Sequence, residues 1–155
     1  GGSTELAIIK NKKRIISTSF PIGSVRLLND SLKAGVWDEL EYWIKHNTKG
    51  IADIISIGSG GNINKIFSII EKKKNKVINR VDIESFLKSI DLYSIEDRVL
   101  LLGYRPDRAD VISFAGKIYL KCMEWSNSKE MVVPQSGLSD GIIRSLYDDF
   151  KKKYQ

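Results

Sequence analysis

The sequence holds a single cysteine, Cys122, and a single histidine, His46. One cysteine excludes a disulfide within the chain and any cysteine-based metal cluster, and it points to a reducing compartment, the cytoplasm. One histidine with no His or Cys partner is not a metal-site signature; near a helix end it complements the macrodipole instead. No apolar run approaches the roughly 20 residues that a membrane span needs. No secretory leader, internal repeat or low-complexity linker is visible. The Gly-Lys-Ser/Thr triplet of a nucleotide P-loop is missing, and so is the third glycine of the dinucleotide fingerprint. Aromatics are not interleaved with a basic stripe, which argues against a specific nucleic-acid face.

What is present suits one globular domain. The 155 residues are 42% hydrophobic and 28% charged, enough apolar material to bury roughly two-thirds of the unfolded surface. Lys and Arg outnumber Asp and Glu by 25 to 19, a net charge of +6, which favours anionic partners. The basic clusters are Lys12-Lys13-Arg14, Lys72-Lys73-Lys74 and Lys151-Lys152-Lys153. The first suits a hairpin tip, and the other two suit helix C-termini, where cations complement the dipole.

Residues Glu5 to Ile9 and Arg14 to Phe20 predict an antiparallel hairpin turning at Asn11-Lys12-Lys13. Val25 to Leu28 is a short apolar stretch ahead of an Asn29-Asp30 turn signal. Leu32, Val36, Leu40, Trp43 and Ile44 keep helical spacing, with a stop near Asn47 and Gly50. Ile51 to Ile57 reads as a buried parallel strand. After Gly58-Ser59-Gly60-Gly61 comes a helix marked by Ile63, Ile66, Phe67 and Ile70. A basic connector, Lys72 to Arg80, precedes a helix carrying Ile83, Phe86, Leu87 and Ile90. Ser94 and Asp97 have capping-box spacing for a short helix that stops at Gly103. Pro106 opens the next helix, whose inner face is Ala109, Ile112, Ala115, Tyr119, Leu120 and Met123. Met131 to Val133 reads as a strand, and Gly137 to Gly141 opens a last helix with core face Ile143, Leu146, Tyr147 and Phe150. Trp37, Trp43, Trp125 and Cys122 read as packing residues. This order of elements is an α/β sheet with an antiparallel hairpin on one side.

Four stretches carry chemistry. Gly58-Ser59-Gly60-Gly61 joins a strand to a helix, where close backbone approach and unpaired helix N–H groups suit phosphate; the same turn could be a tight connection with no ligand. Gly1-Gly2-Ser3-Thr4-Glu5 runs straight into the first strand, although Gly-Gly-Ser is also what an expression tag leaves behind. Arg105-Pro106-Asp107-Arg108-Ala109-Asp110 puts two arginines at a helix start, against the dipole, which suggests either a salt-bridge cluster or an anion site. Ser136-Gly137-Leu138-Ser139-Asp140-Gly141 is a second glycine-flanked helix start.

In this order and at this spacing, the four stretches resemble the second actin-like domain of the exopolyphosphatase / guanosine pentaphosphate phosphohydrolase (Ppx/GppA) family. Its Asp-Ile-Gly-Gly-Gly-Ser-Thr-Glu turn is similar to Gly1-Gly2-Ser3-Thr4-Glu5, and its Gly-Thr-Gly-Gly-Thr loop to Gly58-Ser59-Gly60-Gly61-Asn62. Its Arg-Ala-Asp helix start is similar to Arg108-Ala109-Asp110, and its Leu-Arg-Glu-Gly to Leu138-Ser139-Asp140-Gly141. Ser19 to Leu27 resembles the segment where the family leaves its third strand.

The resemblance implies an actin-like ATPase / ribonuclease H-like domain. Its mixed sheet has an antiparallel hairpin and flanking helices, and its first strand is lacking. It implies a phosphoanhydride hydrolase whose two lobes close on polyphosphate or guanosine polyphosphate, with Mg²⁺ offsetting charge and water attacking a terminal phosphoryl group. Carried over, Gly1, Gly2, Ser3, Gly58, Ser59, Gly60 and Gly61 contact phosphate, and Arg108 stabilises the cleft. Glu5 holds metal or positions water. Asn62 stands where the family has Thr and could cap the helix; Ser139 stands where it commonly has Arg. The family's essential catalytic glutamate lies in a first lobe that this sequence does not contain, and the aspartate strand before Gly1 is also missing. The chain is therefore expected to be one lobe of a longer enzyme, inactive alone. The expected partners are the N-terminal lobe and a second copy in a homodimer, with no membrane and no specific nucleic acid. The hairpin and Ile51–Ile57 are expected not to pair. Alternatives are the ATP-binding lobe of a sugar-kinase type protein, or a non-catalytic anion- or nucleic-acid-binding domain.

Overall fold

In a computed structural model, which describes residues 1–70 and 76–154, the chain opens with the expected hairpin. Strands β1 (Thr4–Lys10) and β2 (Lys13–Phe20) pair antiparallel. Asn11 and Lys12 both take positive φ, 51° and 62°, the geometry that lets a two-residue turn follow the twist of its strands. Short helix α1 (Ser24–Leu28) follows, then α2 (Val36–Thr48). The latter starts four residues after Leu32, because Gly35 at φ +82° turns the chain into it.

The second sheet has three short strands: β3 (Ser56–Ile57), β4 (Val77–Asn79) and β5 (Glu130–Val132), in the order β3-β5-β4. β3 is parallel to β5 and β4 antiparallel to it. The remaining helices are α3 (Gly61–Ile70), α4 (Arg80–Ile90), α5 (Ile95–Leu100), α6 (Pro106–Ala109), α7 (Ile112–Trp125) and α8 (Leu138–Tyr154). Asp82 accepts from both the backbone and the side-chain amide of Asn79 at the head of α4, 3.1 and 3.2 Å. Ser94 caps α5 as its spacing to Asp97 suggests: its Oγ accepts from Asp97 N–H (3.1 Å), while the Ser94 hydroxyl donates to Asp97 Oδ2 (2.8 Å).

Two cores meet on α7. One gathers Ile63, Ile66, Phe67, Phe86 and Leu87 around Ile112 and Met123. The other gathers Phe20, Ile22, Val36, Leu40 and Ile44 around Ile118. Trp43 lies edge-on to Phe20, and Trp37 edge-on to Trp125. Cys122 packs against this second core, and burial pushes its thiol pKa up to about 12, so it behaves as a small apolar group. At Gly116 a Cβ would stand 2.8 Å from Leu87 Cδ2 and 3.5 Å from Ile66 Cδ1. We expect Gly116→Ala to be tolerated by rotation of the Leu87 methyl end. Gly116→Val should lower stability by about 1–3 kcal/mol through overpacking, as read by urea denaturation.

Three expectations are corrected. The Ile51–Ile57 stretch is neither a long strand nor buried: only Ser56 and Ile57 are extended in the sheet, and Ile51, Ile55 and Ile57 are exposed, the last at 62%. Asp53 at φ +55° breaks the extended run, and among the described residues β3 has a partner on one edge only. The basic connector contains strand β4; its lysines 72–74 lie outside the described residues. The stripe Ile143, Leu146, Tyr147 and Phe150 on α8 is exposed, Leu146 at 65%, so its periodicity marks an apolar face but not a core one. The hairpin and β3 lie in separate sheets, unpaired, as expected. No helix among the described residues is long and apolar enough to cross a membrane.

Candidate phosphate site

The second glycine turn sits at the carboxyl ends of the parallel pair β3 and β5, where crevices form in α/β sheets. Its three glycines have different causes. Gly58 donates its N–H to Val132 O (2.9 Å), and a Cβ there would lie 2.5 Å from Met131 Sδ and 3.0 Å from Ile63 Cγ1. Gly60 has φ +122°, which side chains rarely adopt. Gly61 leaves room for a cation: a Cβ there would stand 2.7 Å from both terminal nitrogens of Arg108. The Tyr119 hydroxyl donates to Ser59 O (2.9 Å), and the Ser59 hydroxyl donates to Ser136 O (3.3 Å). Burial pushes the Tyr119 pKa up to about 12, so its phenol stays a donor. As the start of α3, this turn presents N–H groups with no intrahelical acceptor.

The first glycine turn is clamped from below. The Gly1 carbonyl accepts from Val25 N–H (3.3 Å) and the Gly2 carbonyl from Arg26 Nε (2.8 Å). Thr4 Oγ1 donates to Ile22 O (2.7 Å) and fixes the exit into β1. The Gly1 nitrogen donates to Ser24 Oγ (3.4 Å), and Ser24 is buried at the head of α1.

Ser24 joins the two turns. Asn62 Nδ2 donates to Ser24 Oγ (3.5 Å), and Arg108 Nη1 donates to Asn62 Oδ1 (3.1 Å). Gly1, Ser24, Asn62 and Arg108 thus form one polar chain between the turns. Asn62 does not spend its carbonyl on a cap; it holds Arg108 against Gly61. Arg105 pairs with Asp107 instead (3.1 Å), at the surface. Of the fourth stretch, Ser136 touches the second turn, while Gly137 N–H is taken by Asp140 Oδ2 (2.7 Å). Sequence reasoning missed Ser24, Tyr119 and Arg26 as site groups. Tyr119 carried a helix-face signal that concealed its hydroxyl, and Ser24 lay in the Ser19 to Leu27 stretch, which the resemblance picks out without assigning Ser24 any chemistry.

Glu5 stands apart from this chain. Its carboxylate accepts from Ser3 Oγ (2.7 Å) and Ser19 Oγ (3.1 Å), and these bonds, Ser3 first, hold its pKa below the ordinary carboxylate value. No hydrogen bond joins Glu5 to the second turn among the described residues. No group of three or more His, Cys, Asp or Glu that could hold a metal occurs among them either. One ionised carboxylate beside two hydroxyls fits Mg²⁺, which takes one or two carboxylates and leaves its other positions to water and substrate phosphates.

The Ppx/GppA phosphatase family matches residues 1–150. The chain belongs to that family. No curated protein gives a match. Among solved structures, the Aquifex aeolicus Ppx/GppA family member is 22% identical over 100% of this chain and 55% of its own, with TM-score 0.73. Its type II variant is 24% identical over 94% of this chain and 54% of its own, also with TM-score 0.73. An exopolyphosphatase from Cytophaga hutchinsonii is 17% identical over 96% and 55%, with TM-score 0.71. At these identities the likeness is one of fold: a mixed α/β domain with flanking helices, consistent with the actin-like fold of Ppx/GppA proteins. This chain spans about half the length of the structures it matches.

Proposed function

We propose that this chain is the C-terminal lobe of a phosphoanhydride hydrolase acting on inorganic polyphosphate or guanosine polyphosphate. The observation that carries the reading is the polar chain Ser24–Asn62–Arg108, which ties the second glycine turn and a guanidinium to the helix that clamps the first turn. Backbone N–H groups of both turns bind phosphoryl oxygens, and Arg108 adds a charge-assisted donor. Glu5 would hold Mg²⁺, which supplies charge neutralisation to the bound phosphates. The remaining general-base chemistry belongs to a first lobe, supported by the span of this chain over half of its solved relatives. The edge of β3 away from β5, unpaired among the described residues, is where we place the first strand of the complete sheet.

The test is calorimetric titration of the chain with tripolyphosphate, with and without Mg²⁺, alongside phosphate-release assays. Binding without hydrolysis is expected. Arg108→Ala should weaken it roughly 10- to 100-fold, the range for hydrogen bonds to a charged group. Glu5→Gln should remove only the Mg²⁺-dependent part. Because the folded pKa of Glu5 is lowered, that part should persist at pH values just below the ordinary carboxylate range and vanish as pH falls through the lowered value. Robust phosphate release by the isolated chain, or tripolyphosphate binding indifferent to Arg108, would overturn the reading.

A further inference from the structure

Leu6 and Phe20 anchor the hairpin on the second core, but from Ile9 to Ser17 every residue is exposed. Isoleucines recur in this stretch: Ile9 is 58% exposed and Ile15 62%. The register accounts for Ile15. Ile8 pairs with Ile16 and Ile9 with Arg14, so Ile15 is the extra residue of a bulge and has no partner across the ladder. A bulge re-aims the side chain it carries, and here it leaves an isoleucine in solvent.

Around these isoleucines, Lys10, Lys12, Lys13 and Arg14 set four cations within five residues, and no acidic residue occurs from Leu6 to Asn29. None of the four enters a salt bridge among the described residues. Lys10 stands directly opposite Lys13 in the ladder, a like-charge pair that weakens the hairpin. A turn shaped for stability alone avoids that pair; an anionic surface laid against it relieves the repulsion.

The form of the tip selects among anions. It is the free end of a two-stranded ribbon, about 23 Å along β1 from the first glycine turn. No aromatic residue lies between Leu6 and Ser19 for a nucleic-acid base to stack on. Exposed isoleucines gain nothing from a hydrated polyanion. A lipid headgroup layer offers anions at its surface and hydrocarbon just beneath.

We infer that the Lys10–Ile15 tip docks on an anionic lipid surface, with its basic side chains at headgroup level and Ile9 and Ile15 below them. The expectation of no membrane partner followed from the lack of a spanning segment, and surface docking needs no span. Gly1 to Ser3 lie at the opposite end of β1, so docking leaves the candidate phosphate site uncovered, and the inference stands apart from the phosphate reading.

The experiment is sedimentation of the full chain with vesicles of phosphatidylcholine, alone or with about 30% phosphatidylserine, at about 0.1 M salt. Each cation near such a surface is worth about fivefold in partition, so the anionic vesicles should win by several hundredfold. Lys12→Gln with Lys13→Gln should lower binding about 25-fold. Ile15→Ser, at unchanged charge, should lower it about fivefold. Far-UV circular dichroism and tripolyphosphate binding should be unaltered in both variants. Replacing Lys151, Lys152 and Lys153 by Gln should change vesicle binding less than twofold. No binding, or equal binding to neutral and anionic vesicles, would overturn the inference. Binding that ignores Ile15→Ser would overturn the lipid assignment in favour of a general polyanion contact such as nucleic acid. Loss on replacing the α8 lysines, with the tip variants silent, would overturn the tip as the docking element.

Discussion

Replacing Gly23 by alanine should weaken tripolyphosphate binding about 100-fold while leaving the helical core folded. Gly23 has φ −157° and ψ 164°, an extended backbone that any residue adopts, so strain is not the issue. The issue is space. A Cβ at Gly23 would run into the Gly1 carbonyl oxygen and stand 2.7 Å from the Gly2 carbonyl carbon and 2.8 Å from the Gly1 carbonyl carbon. All three are backbone atoms, so no rotamer change relieves the clash and the first turn itself must move. Moving it breaks Val25 N–H to Gly1 O, Arg26 to Gly2 O and the Gly1 bond to Ser24, which together aim the turn at the second one. A displacement of about 1 Å in a positioning element costs on the order of 100-fold in function. The flanking core residues Phe20 and Ile22 point elsewhere, into the α2 cluster, so the melting temperature should fall little. Calorimetry beside thermal melts separates the two effects. Wild-type affinity in Gly23→Ala would sink the claim that the first turn contributes to the site.

Gly23 also shows where legibility in the sequence stops. It reads as punctuation after Pro21, and nothing local says that another glycine pair presses on it from 21 residues away. The hairpin, the α5 cap and the inner faces of α3, α4 and α7 were legible, because each rests on neighbours within a few positions: turn residues with positive φ, a Ser-x-x-Asp spacing, apolar residues three and four apart. The Ile51–Ile57 and α8 stretches failed for a shared reason. Apolar content specifies that a surface wants cover, but whether Ile57 or Leu146 finds it depends on a partner surface that local pattern does not encode. The candidate site was half legible. Both glycine turns and Arg108 stand out as motifs, and the family resemblance orders them. The link between them runs through Ser24 and Asn62, 38 residues apart, and through Asn62 and Arg108, 46 apart. Such long-range side-chain pairs leave no periodic trace. Glu5 was legible as a carboxylate at a strand start, but its engagement with Ser19 across the hairpin follows only once the register Glu5↔Ser19 is known.

The largest stability effect should come from Arg98, which looks like an ordinary charge of a short exposed helix. It is only 8% exposed. Its Nε donates to Tyr93 O (3.1 Å) and its Nη1 to Ala109 O (3.0 Å), while Nη2 lies 3.6 Å from Asp91 Oδ1. Two hydrogen bonds thus tie the turn before α5 to the end of α6, the element that carries Arg108. Arg98→Ala leaves the Ala109 carbonyl buried without its donor, since Ala109 is fully buried. The expected loss is about 3 kcal/mol, combining charge-assisted bonds with an unsatisfied acceptor. The guanidinium fork is what the site requires, because its donors reach two carbonyls that lie 16 residues apart in sequence; a lysine ammonium is a single point. Arg98→Lys should therefore recover less than half of the loss. Asp91 is half exposed and shares its carboxylate with Lys117 at 3.6 Å, so Asp91→Asn should cost under about 1 kcal/mol. Denaturant titration of the three variants separates geometry from charge: full stability in Arg98→Lys, or a large loss in Asp91→Asn, would make the ion pair and not the fork the stabilising element. Because Ala109 adjoins Arg108, the same Arg98→Ala chain should also lose affinity for tripolyphosphate under conditions where it is still folded, which places Arg98 among the residues that position the site without touching its ligand.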